Sequence, residues 1–280
     1  MSRISSRVGG TELTAIRNVN AAFAEIAAAG LQLSTLKRIN RASDDPAGLI
    51  AAEQLRSELE SLEAASRSSA RATAAVSLAD SGLSQITGLL NTVESRVLEA
   101  AGGNLSDAEL AANQLEIDSA LEAIDRIGAY TGLSDGGRIS FAPTGDVNDV
   151  AGLDLPTISR AALGSDEVRL GDVASGGSAS LARRRYEQAI GAVSGAREQV
   201  LSARARLGAF ERNTIDASRE FVAGLQETLS ESLSRIEDAD LAVATARMVR
   251  GEVLGKAAVA SLRTLSQSRS LIQSLLDETR

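Results

Sequence analysis

The sequence predicts a mainly α-helical protein: a long antiparallel helical bundle or coiled coil, with paired N- and C-terminal helices and a small β-rich tip. Three observations predict it. Apolar residues recur at seven-residue intervals from Pro46 onward, at Leu55, Leu62, Val76, Leu83, Leu90 and Val97, with Ser69 the one exception. A second row at Leu59, Ile86 and Val93 lies beside the first, so spacings of three and four alternate as along a coiled-coil seam. Composition agrees, since aromatics are 2%, Trp, Cys and His are absent, and Pro occurs three times. Ala, Leu, Ser, Glu and Arg dominate, as in chains built from long helices. Finally, the heptads stop between Tyr130 and Gly177 and then resume, so that two helical halves mirror each other around an interruption.

The N-terminal element is an amphipathic helix from Thr11 to about Leu36, ending near Asn40, with Ile16, Val19, Phe23, Ile26, Gly30 and Leu33 on one face. Thr11 is a plausible cap, and the first ten residues are too polar and glycine-rich to predict an element. Gly30 and Ala27 to Ala29 leave room for a neighbouring backbone. Asp44-Asp45-Pro46 then opens the long helix, because Asp45 can accept orphan amide protons and Pro46 at the first helical position sacrifices no useful donor. It runs to about Ala101, roughly 80 Å at 1.5 Å per residue. Such a helix needs partners of similar length to cover its stripe.

Gly102-Gly103 ends that pattern, and Ser106 followed by Glu109 reads as a capping box. Leu110, Gln114, Ile117, Leu121 and Ile124 carry a third helix to about Ala129. The short connection turns it back antiparallel to the second. Residues 130–177 form the tip, with short strand-like runs at 138–142 and 168–170 and turns at the glycines and prolines. Helix resumes near Ser178 or Ser180 and persists to about Ile236, with Ile190, Val193, Val200, Leu207, Phe210, Phe221, Leu225, Leu229 and Ile236 marking its buried face. Arg183-Arg184-Arg185, early in it, is read as a solvated turn. The last helix carries Leu241, Val249, Val253, Leu254, Ala258, Leu262, Leu265, Ile272 and Leu275.

Charge is uneven. The net is −8, yet residues 1–40 hold five basic side chains against two acidic ones and residues 241–280 hold six against three, which leaves −14 for the middle. Like-charged ends pair only through apolar contact. The basic residues are scattered and lack aromatic stacking partners, which argues against nucleic acid and membrane surfaces. Without Cys there is no disulfide, thiolate catalysis or thiolate metal site. No N-terminal apolar core has signal-peptide form and no apolar run spans a bilayer. The acid pairs Asp44-Asp45 and Asp238-Asp240 have no third ligand, so helix capping and ion pairs to Arg38 or Arg235 are their expected employment, and no metal, cofactor or catalytic site is predicted.

Several motifs in order resemble the bacterial flagellin family. Leu33-Ser34-Thr35-Leu36-Lys37-Arg38-Ile39-Asn40 and Asp44-Asp45-Pro46-Ala47-Gly48-Leu49 match its N-terminal pattern. Glu122-Ala123-Ile124-Asp125-Arg126-Ile127, Arg206-Leu207-Gly208-Ala209 and Ser234-Arg235-Ile236-Glu237-Asp238-Ala239-Asp240 match its later elements, and Ser274-Leu275-Leu276 its closing step. The usual Val-Asn-Thr-Asn opening is absent, Leu36 stands where the family has Gly, and four residues follow the final leucine. Pro46 and Arg3-Ile4-Ser5 resemble instead the hook–filament junction protein, a relative with the same terminal helices, whereas the C-terminal ending favours flagellin.

The resemblance implies a filament subunit of the extracellular bacterial flagellum, exported unfolded without a cleaved signal. It divides the chain into inner-tube helices at 1–40 and 241–280, an outer bundle at 41–129 and 178–240, and a surface tip at 130–177. Assembly would run through Ile16, Val19, Phe23, Ile26 and Leu33 of the first helix and through Val253, Leu254, Ala258, Leu262, Leu265, Ile272 and Leu275 of the last. Arg38, Ile39, Asn40, Asp44, Asp45, Gly48, Asp125, Arg126, Arg235, Asp238 and Asp240 are the motif residues of the bundle. Partners implied are further copies, alone or mixed with other flagellins, an export chaperone covering Leu254, Leu262 and Leu265, and the cap and hook-junction proteins. The family's receptor-recognition run aligns with residues 91–96, where both its arginines are missing although Glu116 keeps the acidic partner, so poor detection by the Toll-like flagellin receptor is expected. A rival from another class is a secreted coiled-coil binding module.

Overall fold

The computed structural model describes residues 2–146 and 148–278, with the side chains of all of these except 2–11, 269, 272, 273 and 275–278. In order, the elements are α1 (Ser2–Thr35), α2 (Pro46–Ala101), α3 (Asp107–Tyr130), β1 (Arg138–Phe141), β2 (Ala151–Asp154), α4 (Leu170–Val173), α5 (Tyr186–Phe210), α6 (Ala217–Glu237) and α7 (Leu241–Glu278). They form two compact units, one of Met1–Glu58 with Thr228–Arg280 and the other of Leu59–Glu227. None of the described helices is long and apolar enough to cross a membrane.

The middle unit, Leu59–Glu227, is organised on the predicted heptads. Val76, Leu83, Leu90 and Val97, with Ile86 and Val93, are all buried on α2. They face Ile117, Leu121 and Ile124 of α3 and Val193, Val200 and Leu207 of α5 in one continuous core. Burying a leucine or valine in such a seam contributes about 1.5–3 kcal/mol, which outweighs the weak propensity of the alanine- and serine-rich turns between. Ser69, where the pattern lacks an apolar residue, is fully buried and its hydroxyl has no hydrogen-bond partner. The α3 start is the predicted capping box: Glu109 N donates to Ser106 Oγ at 3.4 Å, and Ser106 N donates to Glu109 Oε2 at 2.7 Å.

The tip is a single antiparallel hairpin-like pair in which Ile139 faces Leu153 across the strands. Phe141 leaves β1 to meet Phe210 of α5 edge to face, ring centroids 6.1 Å apart. The run 168–170 is not a strand. It makes one bridge, Gly164 to Arg169, and then enters α4, because Asp172 accepts from Arg169 N and starts a helical turn. Polar side chains of α3 hold this segment: Gln114 donates to the Val173 carbonyl at 3.0 Å and accepts from Leu181 N at 2.9 Å, and Asp118 accepts from Ser175 N at 2.8 Å.

Three boundaries differ from the sequence expectation. Helix α1 begins at Ser2, so Thr11 lies inside it rather than capping it, since glycines weaken a helix without ending it. Its end is Thr35, well before Asn40, because Leu36 takes a left-handed conformation with φ 59°. Helix α5 begins at Tyr186, after a short 3-10 turn at Leu181–Arg183 and a left-handed Arg184. Between α5 and α6 the chain widens into a π-helical turn, Glu211–Asp216. A π turn carries one extra residue and rotates everything after it. Phe221, expected on the buried face, is consequently 60% exposed, and Val222 takes the interior position.

Leu36 occupies a backbone region that costs a side-chain-bearing residue about 1–2 kcal/mol. Leu36→Gly is therefore expected to stabilise the terminal unit by about 1 kcal/mol, read as a higher melting temperature. An unchanged or lower value would mean that the half-exposed Leu36 side chain contributes more packing than its conformation costs.

Candidate assembly surface

In the terminal unit, α1 and α7 pair antiparallel through small residues. Ala15, Ala22 and Ala29 are buried at seven-residue spacing on α1, opposite Ala244, Gly251 and Gly255 on α7. At Gly251 a Cβ would lie 2.9 Å from Ile26 Cγ1 and 3.4 Å from the Ala22 carbonyl oxygen. The close approach is therefore at Gly251 and not at Gly30, where a Cβ would meet nothing within 4 Å. Van der Waals contact between backbones replaces the leucine packing of an ordinary coiled coil.

The consequence is that the large apolar side chains are left on the outside. Phe23 is 57% exposed and Val253 60%, and Ile16 and Leu254 are exposed with them. Val19, Ile26, Leu33, Ala258, Leu262 and Leu265 border the seam half-buried. The side chains of Ile272 and Leu275 lie outside the described residues. Phe23 and Ile26 with Val259 line a groove on one side of the pair, and Leu254 with Ala22 and Ala258 line one on the other. A helix pair that presents bulky apolar groups to water on two sides has the anatomy of an association surface.

Where the helices meet their connections, two short stretches cross. Arg38 N donates to the Glu237 carbonyl at 2.6 Å and Ala239 N to the Leu36 carbonyl at 2.9 Å, an isolated antiparallel bridge. Within it lies Glu237, the one buried charged residue among those described. Its carboxylate takes Lys37 Nζ at 2.5 Å and the Arg56 guanidinium, and Glu53 also binds Arg56. Burial by itself pushes the Glu237 carboxyl up, but the hydrogen bonds and charges of Lys37 and Arg56 outweigh it and hold the group below the ordinary carboxylate value.

The motif residues surround this crossing. Asp45 Oδ1 accepts from Gly48 N at 2.9 Å as the cap of α2. Gly48 must be glycine there, because a Cβ would fall 2.5 Å from Asp45 Oδ2 and 2.7 Å from Ile39 Cδ1. Asp44 accepts from Asn40 N and Arg41 N, and Asp240 accepts from Ala242 N and Val243 N to cap α7. Asp45 and Asp240 thus cap helices and Asp44 closes the turn before α2, whereas the expected ion pairs are not formed. Arg38 donates instead to the Ile236 carbonyl at 2.6 Å, Arg235 pairs with Glu231 at 3.7 Å, and Asp238 accepts from Ser234 Oγ. Asn40 donates to the Lys37 carbonyl, and Ile39 is buried.

In the middle unit, Asp125 holds Arg160 through its backbone N at 2.9 Å and its Nε at 3.0 Å, which fastens the tip to α3. Arg126 is exposed and makes no ion pair among the described residues. The Glu237 cluster escaped sequence reasoning because Lys37, Arg56 and Glu237 are distant in the chain. The seam at Ala15, Ala22 and Ala29 escaped it too, although their seven-residue spacing carries the signal.

Two family models match the chain. One describes the bacterial flagellin N-terminal helical region and covers residues 10–135, and the other describes the flagellin C-terminal helical region and covers residues 190–277. The chain belongs to the bacterial flagellin family.

Similar proteins include a flagellin of Treponema pallidum, 25% identical with 88% of this chain and 90% of the relative covered. The flagellar filament 33 kDa core protein of Treponema phagedenis is 26% identical, with 92% and 98% covered. A flagellin of Listeria monocytogenes is 24% identical, with 88% and 90% covered. Flagellins are structural subunits of the flagellar filament, and this one is a mainly helical member with, among the described residues, only a two-stranded sheet between its helical regions. Arg96, at the end of the run 91–96, binds Glu116 at 2.7 Å and Glu99 at 3.0 Å. The retained acid is therefore engaged within the chain.

Proposed function

We propose that this flagellin adds to its filament through the outer faces of the α1–α7 pair, with residues 1–40 and 241–280 forming the inner tube, 41–129 and 178–240 the outer bundle, and 130–177 the surface tip. The observation that carries this reading is the inversion of the terminal pair, small residues inside and Ile16, Phe23, Val253 and Leu254 outside. Water contact with those side chains costs about 25 cal/mol per Å², which copies of the chain relieve by stacking. Contacts between unlike faces that do not close build an open helix of subunits. Helices of this kind are marginal alone, so the ends order on assembly and travel unfolded through the export channel to the extracellular flagellum. The same α7 face, at Leu254, Leu262 and Leu265, suits an export chaperone before assembly, and the filament cap and hook-junction proteins are the neighbours expected at the filament ends. We assign it no enzymatic role.

Seeded elongation followed by electron microscopy tests the reading. The full chain is expected to extend filament fragments, while a chain lacking residues 1–40 and 241–280 should stay monomeric and keep the helical circular-dichroism signal of its middle unit. A full chain that never elongates would point to a coiled-coil binding module, and one that only joins hook ends to the junction protein. Purified monomer is also expected to activate a Toll-like receptor reporter poorly; strong activation would show that the engaged Glu116 and the missing arginines do not matter.

A further inference from the structure

We propose that Arg183, Arg184 and Arg185 form a charged contact that docks into the acidic groove at Asp166, Glu167 and Glu198 of a second copy. This rests on the filament reading and adds to it a contact outside the terminal helices.

All three arginines are exposed and make no ion pair among the described residues, whereas Arg160, Arg197 and Arg204 of the same unit are each paired, with Asp125, Glu94 and Asp80. Arg184 borders a groove that also holds Asp107 and Asp118, yet it pairs with neither among the described residues, and the helix behind the cluster opposes its charge. The three arginines immediately precede Tyr186, so three positive charges crowd the positive end of the α5 dipole, and only Glu187 in the first turn opposes them. Arg184 adds a left-handed backbone, φ 53°. The turn is nonetheless held in place: Ser180 and Leu181 are buried, Leu181 N donates to Gln114, and Arg183 N donates to the Ser180 carbonyl at 2.9 Å. The fold therefore presents a fixed cluster of three cations that forms no ion pair among the described residues.

The complementary feature is on the same unit. Asp166 and Glu198 stand on either side of a groove that also contains Gly195, Gln199 and Arg206, and Glu167 is exposed next to Asp166. Two acids against one arginine line it, and the exposed Glu167 at its edge adds a third negative charge. These acids form no ion pair among the described residues. Glu198 is thirteen residues along α5 from Arg185, about 20 Å at 1.5 Å per residue, so the two features are separate sites. A contact that joins two different sites is heterologous, and in a filament, where the rotation does not close, it repeats from copy to copy. Packing copies whose middle residues carry −14 is otherwise repulsive. Opposite-charge contact between them steers encounter and fixes register.

The test is seeded elongation of the full chain at two salt concentrations. Joint Arg183→Glu, Arg184→Glu and Arg185→Glu is expected to slow elongation about tenfold near 50 mM salt, with the difference closing near 0.5 M as the charges are screened. The corresponding Gln variant, which carries no new repulsion, is expected to slow it about threefold. Adding Asp166→Arg, Glu167→Arg and Glu198→Arg to the Glu variant should restore low-salt elongation. Wild-type rates in the Gln and Glu variants at low salt would overturn the contact, as would failure of the charge swap to restore elongation in a chain whose middle unit melts as wild type. A wild-type chain that does not elongate would remove the filament reading and this contact together, so the two failures are distinguishable.

Discussion

Replacing Gly251 by leucine is expected to abolish filament elongation while leaving the middle unit's melting temperature unchanged. A Cβ alone at this position would stand 2.9 Å from Ile26 Cγ1 and 3.4 Å from the Ala22 carbonyl oxygen. Ile26 can turn aside from a methyl group, but the backbone of α1 cannot turn aside from a leucine. Overpacking a tight contact costs about 1–3 kcal/mol, and the helices must separate to relieve it. Because the pair is held by small residues at close range, separation forfeits most of its dispersion energy. The grooves bordered by Phe23 and Leu254 lose their shape at the same time. Gly30→Ala, which meets nothing within 4 Å, serves as the control and should stabilise α1 by about 0.5–1 kcal/mol. Elongation of the Gly251→Leu chain at the wild-type rate would show that close pairing of α1 with α7 is not required.

Glu237→Ala is expected to destabilise the terminal unit by about 2 kcal/mol near neutral pH. Removing one partner of a buried ion pair costs 3–5 kcal/mol when the remaining charge stays desolvated. Here the remaining cations are partly in water, Lys37 with 47% and Arg56 with 31% of the side chain exposed, which lowers the figure. Two cations are left facing each other across the crossing of residues 36–39 and 236–239. Stability should also depend on pH in a stated direction. The folded Glu237 carboxyl titrates below its ordinary value of 4.5, so the unfolded chain binds the proton more readily than the folded one. The stabilisation is therefore fully present above about pH 5 and is lost as pH falls through the folded value. Glu237→Gln should flatten that dependence in the terminal unit without affecting the middle unit. Thermal melts of the two variants between neutral pH and about pH 3 check both statements, and an identical acid dependence in Glu237→Gln would show that Glu237 does not carry it.

Much of the fold was legible because its determinants are local. The heptads from Leu62 to Val97 bury as their spacing requires. Ser106 with Glu109, and Asp45 before Pro46, start helices by side-chain chemistry confined to one turn. Glycine spacing also marked where the tip begins. What failed had a cause outside the window that periodicity inspects. A π turn at Glu211–Asp216 rotated the following helix and exchanged Phe221 for Val222. Leu36, in a conformation that favours glycine, ended α1 five residues before the expected position. Arg184 likewise delayed α5 to Tyr186.

That the chain is a set of long helices with apolar faces at both ends, and that its ordered motifs resemble the flagellin family, can be read along the chain alone. Hydrophobic period, capping residues and breakers are properties of neighbouring residues, so a linear reading reaches them. Only the tertiary structure decided which of those apolar residues face inward. The terminal pair closes on Ala15, Ala22, Ala29, Gly251 and Gly255 and turns Phe23 and Val253 outward, because two backbones that approach closely leave no room for large side chains between them. The tertiary structure likewise made Glu237 a buried carboxylate, since its charge is balanced by Lys37 and Arg56, which approach it only when distant stretches of the chain cross.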